Sequence, residues 1–212
     1  MYLFTRRARL ASRNSRGEIA WAVAITEKAN QITGLNAALY TQMYGASVGT
    51  VAWSAFVPDL VALEAAGDKL LADNAYVAMA DEGTAMLTDG PDDTLLQVVA
   101  GEPDPDRGVE YVTTVDAVCA NGRLNRGLEL GVEIAQRVEQ ITGAPTMFLT
   151  GSTGPYGSVV WGTAFRDAPE MQRAEQALMA DTGWLRFIDK ETADVYAAEP
   201  TMTTQSIWRH VT

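Results

Sequence analysis

Few residues in this chain have the type and spacing that chemistry requires. The 212 residues include one histidine, His210, and one cysteine, Cys119. A single cysteine excludes an intrachain disulfide framework and any cysteine cage for zinc or an iron–sulfur cluster. A single histidine excludes multi-histidine metal centres, so neither a metal site nor a cofactor is expected. A Ser-His-Asp triad would have to recruit His210, and no Gly-x-Ser-x-Gly elbow is present. The nearest pattern, Gly151-Ser152-Thr153-Gly154, reads as a turn between strands. The glycine-rich loops join strand to strand, whereas a phosphate loop runs from strand into helix.

Two sets of residues remain. Trp53 and Trp161 fall in matching strand-like runs, and Tyr40 and Tyr44 lie on the strand before the first of them. Such aromatics can line a pocket for a planar ligand, with the indole N–H and phenol O–H orienting it. Filling the core is the competing role. Arg7 and Asp116 hold corresponding places on two first strands, where Leu3, Thr5 and Arg7 answer Val112, Thr114 and Asp116. In a functional role Arg7 polarises a substrate oxygen and Asp116 accepts a proton. In a structural role they form a salt bridge at the rim of an interface.

The elements that position these residues follow from an internal repeat. Gln31-Ile32-Thr33-Gly34 recurs as Gln140-Ile141-Thr142-Gly143, a shift of 109. The same shift matches Tyr2 to Tyr111, Thr5 to Thr114, Val51 to Val160, and Ala55-Phe56 to Ala164-Phe165. Further on, Leu70-Leu71-Ala72-Asp73 answers Leu178-Met179-Ala180-Asp181 at a shift of 108. Two repeats are too few for a solenoid. The chain divides into a first repeat (1–100), a solvated linker (101–108) rich in Pro and Asp, and a second repeat (109–212).

Each repeat opens on a strand, Tyr2 to Leu10 and Val109 to Cys119. A helix follows, with the stripe Trp21, Ile25, Ala29 and Ile32 matched by Leu130, Ile134, Val138 and Ile141. Gly34 and Gly143 supply left-handed C-terminal caps. Two strands come next, 37–44 with 50–56 and 146–150 with 158–165. A second helix opens near Asp59 and near Asp167, and a closing strand, 95–99 or 205–211, ends the unit. The segment from Asp89 to Asp93 reads as a solvated turn. The order βαββαβ is the ferredoxin-like unit, an antiparallel sheet with both helices on one face. Its other face must be covered, because its apolar residues would otherwise meet water. The expected fold is therefore α+β: duplicated ferredoxin-like units, with antiparallel sheets packed face to face as a single-chain pseudo-dimeric α/β barrel.

On the repeat, the element order and the openings Tyr2-Leu3-Phe4-Thr5 and Tyr111-Val112-Thr113-Thr114, the chain resembles a tandem member of the dimeric α/β-barrel superfamily. It stands there in the neighbourhood of NIPSNAP-like and antibiotic-biosynthesis-monooxygenase-like proteins. The resemblance implies sheets that face one another, helices outside, and a pocket inside the barrel or between sheet and helices. It spans cofactor-free oxygenases, isomerases, haem enzymes and proteins without known chemistry. An axial haem role for His210 would need supporting partners, and a packed or solvated histidine is the simpler reading.

Composition narrows the partners. With 16 Lys+Arg against 27 Asp+Glu the net charge is −11, which disfavours nucleic acid and anionic membrane surfaces. No apolar run approaches a spanning helix. Five arginines before Glu18, Arg13 among them, resemble a targeting segment, but the repeat gives this stretch a structural place. A cytoplasmic location fits the lone cysteine. The functional expectation is a protein that binds a small apolar or aromatic metabolite, with metal-free oxygenation or isomerisation as its chemistry. The alternative is a non-catalytic assembly protein forming a homo-oligomer.

Overall fold

The computed structural model describes residues 1–12, 16–45, 47–104, 106–199 and 202–211. Arg13 and the linker's Pro105 lie outside them. The first half contains β1 (Tyr2–Arg9), α1 (Arg16–Thr33), β2 (Ala38–Tyr44), β3 (Thr50–Val57), α2 (Leu60–Ala72), α3 (Asn74–Gly83) and β4 (Asp92–Ala100). The second contains β5 (Tyr111–Val118), α4 (Leu124–Thr142), β6 (Thr146–Gly151), β7 (Ser158–Phe165), α5 (Ala168–Ala180), α6 (Thr182–Thr192) and β8 (Thr204–His210). Within the first unit the strands lie in the order β1-β3-β2, and within the second in the order β8-β5-β7-β6-β4. The more compact groupings are Met1–Leu95 with Arg209–Thr212, and Leu96–Trp208.

The duplicated ferredoxin-like plan is present, with one helix more per half than βαββαβ predicts. Asp73 closes α2 and also opens α3, its side chain accepting the Tyr76 N–H at 2.8 Å. Asp181 does the same between α5 and α6, accepting the Trp184 N–H at 2.8 Å. A carboxylate at an N-cap satisfies a donor that the first helical turn leaves unpaired. The turn expected from Asp89 to Asp93 ends earlier, since Asp92 and Asp93 already belong to β4. Asp93 takes two hydrogen bonds from the Arg6 guanidinium, each 2.7 Å. That pair is solvent-exposed and contributes little to stability.

The registers settle how the halves correspond. Tyr2 pairs with Val57 and Arg6 with Trp53. In the second half Tyr111 pairs with Phe165 and Val115 with Trp161. The first strands and β2/β6 thus correspond at a shift of 109, whereas β3 and β7 correspond at 108. Matching Val51 to Val160 and Ala55-Phe56 to Ala164-Phe165 is therefore one residue out of structural register. The hairpin between β6 and β7 is one residue shorter, and a turn absorbs this without inverting the side chains of the strand that follows.

Helices are seated on their sheets through small residues. A Cβ on Gly131 would lie 2.0 Å from the Phe148 ring, and one on Gly127 would lie 2.4 Å from the Cys119 sulfur. These two glycines, one turn apart on α4, let the helix backbone meet the core of Leu130, Phe148, Val159 and Trp161. The Cys119 thiol and the Tyr196 phenol are both pushed up by burial in this core. The Tyr196 O–H donates to the Gly127 carbonyl at 2.9 Å.

Gly131→Ala is expected to destabilise the protein by about 1–3 kcal/mol through overpacking. Gly67→Ala, inside α2 with nothing within 4 Å of the added methyl, is expected to stabilise by about 0.5–1 kcal/mol. Urea unfolding of the two variants checks both signs.

Candidate functional site

Alternation along each strand sorts the candidate residues by face. Trp53 sits on the helix side, donating its indole N–H to Thr26 Oγ1 at 2.8 Å, with the Ala22 carbonyl at 3.4 Å. Trp161 sits on the helix side of the second sheet and donates to the Gly131 carbonyl at 2.8 Å. Ala22 and Gly131 are themselves equivalent in the repeat, so both halves use one device. Trp53 meets Trp21 edge to face, with centroids 6.0 Å apart. Trp161 packs between Phe148 and Tyr196. Tyr44, at the end of β2, is 65% exposed.

The opposite, helix-free face of the first sheet carries the convergent polar groups. Arg7 pairs with Ala52, and Ala52 pairs with Tyr40, so the three form one row across β1, β3 and β2. Directly opposed residues share a face, which puts the guanidinium and the phenol on either side of a single methyl group. The next row holds Thr5 and Ser54, whose hydroxyls are 3.2 Å apart. Tyr40 is extended by His210, the two rings tilted with centroids 5.4 Å apart. The end of β8 is fixed there by the Val211 N–H, which donates to the Leu39 carbonyl at 2.8 Å.

Burial tunes both rings. It raises the Tyr40 phenol, keeping the O–H a donor, and it lowers the His210 imidazole, keeping it neutral and able to accept a proton. Arginine stays cationic regardless of setting. One row therefore offers a fixed positive charge, a hydroxyl donor and a neutral base.

Asp116 occupies in the second half the place that Arg7 holds in the first, half-buried and opposite Val160. Its row continues to Leu149. His210 joins this face from the closing strand β8. Its only sequence signal is alternation with Trp208 along a closing strand. The Trp208 N–H donates to Thr114 on the helix-free face at 3.3 Å, which places His210, two residues on, on the same face.

Haem does not fit beside His210 as the residues stand. The imidazole packs against Tyr40, and a groove that His210 borders on the other side of the sheet, beside Val23, Thr26 and Glu27 of α1, encloses about 120 Å³. Ordinary small-molecule pockets begin near ~300 Å³. No group of three or more metal-binding side chains occurs among the described residues. Among the described residues no helix is long and apolar enough to cross a membrane.

No family model matches the chain, and no curated protein matches its sequence. Solved structures do match it along its whole length. A candidate monooxygenase of Fusobacterium nucleatum aligns with a TM-score of 0.71 at 7% identity, covering 100% of this chain and 92% of that one. An anthrone oxidase-like protein aligns at 0.66 and 10% identity, covering 100% and 91%. A haem-degrading enzyme of Listeria monocytogenes aligns at 0.54 and 7% identity, covering 100% of both chains. At such identities the likeness shows the fold alone, two ferredoxin-like halves in one polypeptide, the arrangement of these solved structures.

The lowered His210 makes stability depend on pH. Between the folded value and the ordinary 6.5 the unfolded chain binds more protons. Stability is therefore complete above the ordinary value and falls as pH drops through this window. From about pH 7 to about pH 5 the urea midpoint of His210→Gln is expected to fall less than that of the unaltered protein.

Proposed function

We propose that the protein binds a small planar metabolite bearing a carbonyl or acidic oxygen on the helix-free face of its first sheet, and acts on it as a metal-free oxygenase or isomerase. The observation that carries this reading is the single row Arg7–Ala52–Tyr40 with the tilted ring of His210 packed against its end. Neutral His210 takes a proton from a carbon conjugated with the carbonyl. Arg7 and the Tyr40 O–H hold the oxyanion that develops. Return of the proton to a different carbon completes an isomerisation. Capture of the enolate carbon by dioxygen gives a hydroperoxide, and loss of water from it leaves a new carbonyl, so the substrate supplies all four electrons. Asp116 is the second polar candidate, on the other sheet. The indoles of Trp53 and Trp161 support the site through the helices they anchor. The monooxygenase and anthrone oxidase-like descriptions of the fold neighbours agree with this chemistry in kind.

Oxygen uptake with anthrone as substrate tests the proposal. His210→Gln is expected to lower kcat by about 100-fold or more, the scale of a general base, and Arg7→Met to raise KM. An unchanged rate in both variants would falsify the reading, as would inert protein towards every planar ketone or phenol tried.

A reading of a different class, assembly of copies through the outer helices, is favoured by Val61 and Leu71 on α2, which are 73% and 75% exposed. If it holds, sedimentation shows an oligomer that Val61→Asp together with Leu71→Asp dissociates.

A further inference from the structure

Asparagine is among the chemically labile side chains, and the asparagines of this chain stand in very different settings. Asn14 lies outside the described residues. Asn30 is held at both ends of its amide by the Ala37 backbone, at 2.7 and 2.8 Å, which also engages the N–H that follows Asn36. Asn74 and Asn125 lie within α3 and α4, where the helical backbone fixes the next peptide group. Asn121 alone precedes a glycine. With Gly122 it forms the tip of the turn between β5 and α4. The base of that turn is anchored. The Cys119 N–H donates to the Gly157 carbonyl, the Ala120 N–H to the Val195 carbonyl, and the Arg123 N–H to the Ala120 carbonyl, each at 2.9 Å. The tip is exposed, and among the described residues neither the Asn121 amide nor the Gly122 N–H has a hydrogen-bond partner. A methyl group built on Gly122 would meet nothing within 4 Å, so the peptide nitrogen is open to solvent.

We infer that Asn121 is a modification site, where the chain converts its own amide to a carboxylate. The Gly122 backbone nitrogen gives its proton to hydroxide and attacks the Asn121 side-chain carbonyl carbon. The bond from that carbon to the amide nitrogen breaks, and ammonia leaves with a proton taken from water. The product is a succinimide ring. Water then opens the ring at either carbonyl. Breaking the side-chain carbonyl's bond to nitrogen gives aspartate; breaking the main-chain one gives isoaspartate, whose backbone runs through the side-chain methylene. One water is consumed, one ammonia is released, and nothing is oxidised or reduced. Nucleophile and electrophile are neighbours in one chain, so the ring closure is unimolecular, and glycine brings no Cβ to obstruct it. The outcome bears on α4. Arg123, at its N-cap, offers the first turn no side-chain acceptor. The new carboxylate brings a negative charge to the unpaired N–H groups there, and isoaspartate lengthens the turn that joins Ala120 to Arg123. None of the residues of the proposed function takes part.

Peptide mapping of the intact, folded chain after incubation at mildly alkaline pH tests this. The tryptic peptide 108–123 holds Asn121 as its one asparagine and has no glutamine, so a gain of acid there reports this site alone. It is expected to lose its amide form and to appear as separate aspartyl and isoaspartyl species, the second a substrate for isoaspartyl methyl transfer. The peptides that carry Asn30, Asn36, Asn74 and Asn125 are expected to keep their amides. Gly122→Ala, which crowds the nitrogen, and Asn121→Gln, which would need a larger ring, are each expected to suppress the loss. Gly122 has φ +77°, so circular dichroism checks that the alanine variant folds, and the glutamine variant carries the test if it does not. An amide that persists in the folded chain, or is lost only after unfolding in urea, overturns the inference. So does equal loss in a folded variant.

Discussion

Each half of this protein depends on an indole N–H aimed into a helix. Trp53 reaches Thr26 and the Ala22 carbonyl, and Trp161 reaches the Gly131 carbonyl at the equivalent turn. A buried indole needs a partner for its one donor. Here the partner is backbone or hydroxyl in the middle of the long helix, so the bond fixes both the height and the rotation of that helix over the sheet. Small residues beneath the helix make the approach possible. Once one sheet face is committed to the helix in this way, alternation commits Arg7, Tyr40 and Asp116 to the other.

Much of this was legible in residue order. The repeat, the strand and helix succession, and the glycine caps at Gly34 and Gly143, whose φ angles are +73° and +70°, follow from local chemistry. The second outer helices, α3 and α6, were not legible. Asp73 and Asp181 each end one helix and start another, and an aspartate after a helical stripe reads first as its end. The facing of the tryptophans was also hidden. A sequence match cannot locate a one-residue deletion within a loop, and an error of one residue inverts every side chain of the following strand.

The candidate site divides along the same line. Arg7 and Tyr40 could be singled out as polar and aromatic residues on regular strands. Their membership in one row needed the β1–β3 and β2–β3 registers, which are set by pairing between segments distant in sequence. His210 lies further still from Tyr40 along the chain. The lowering of its imidazole follows from burial, a property of the folded state alone.

The shared aspartates have a mechanical side. Where two helices meet at one carboxylate there is no slack, and the elbow is as short as a helix pair allows. Lengthening it by a single residue would part the end of α2 from the start of α3, and would pull the Asp73 carboxylate off Lys28, which now tethers the elbow to α1 at 3.1 Å. The outer layer therefore behaves as a stiff bracket clipped to the long helix, and drift in chain length finds its outlet at the hairpin tips.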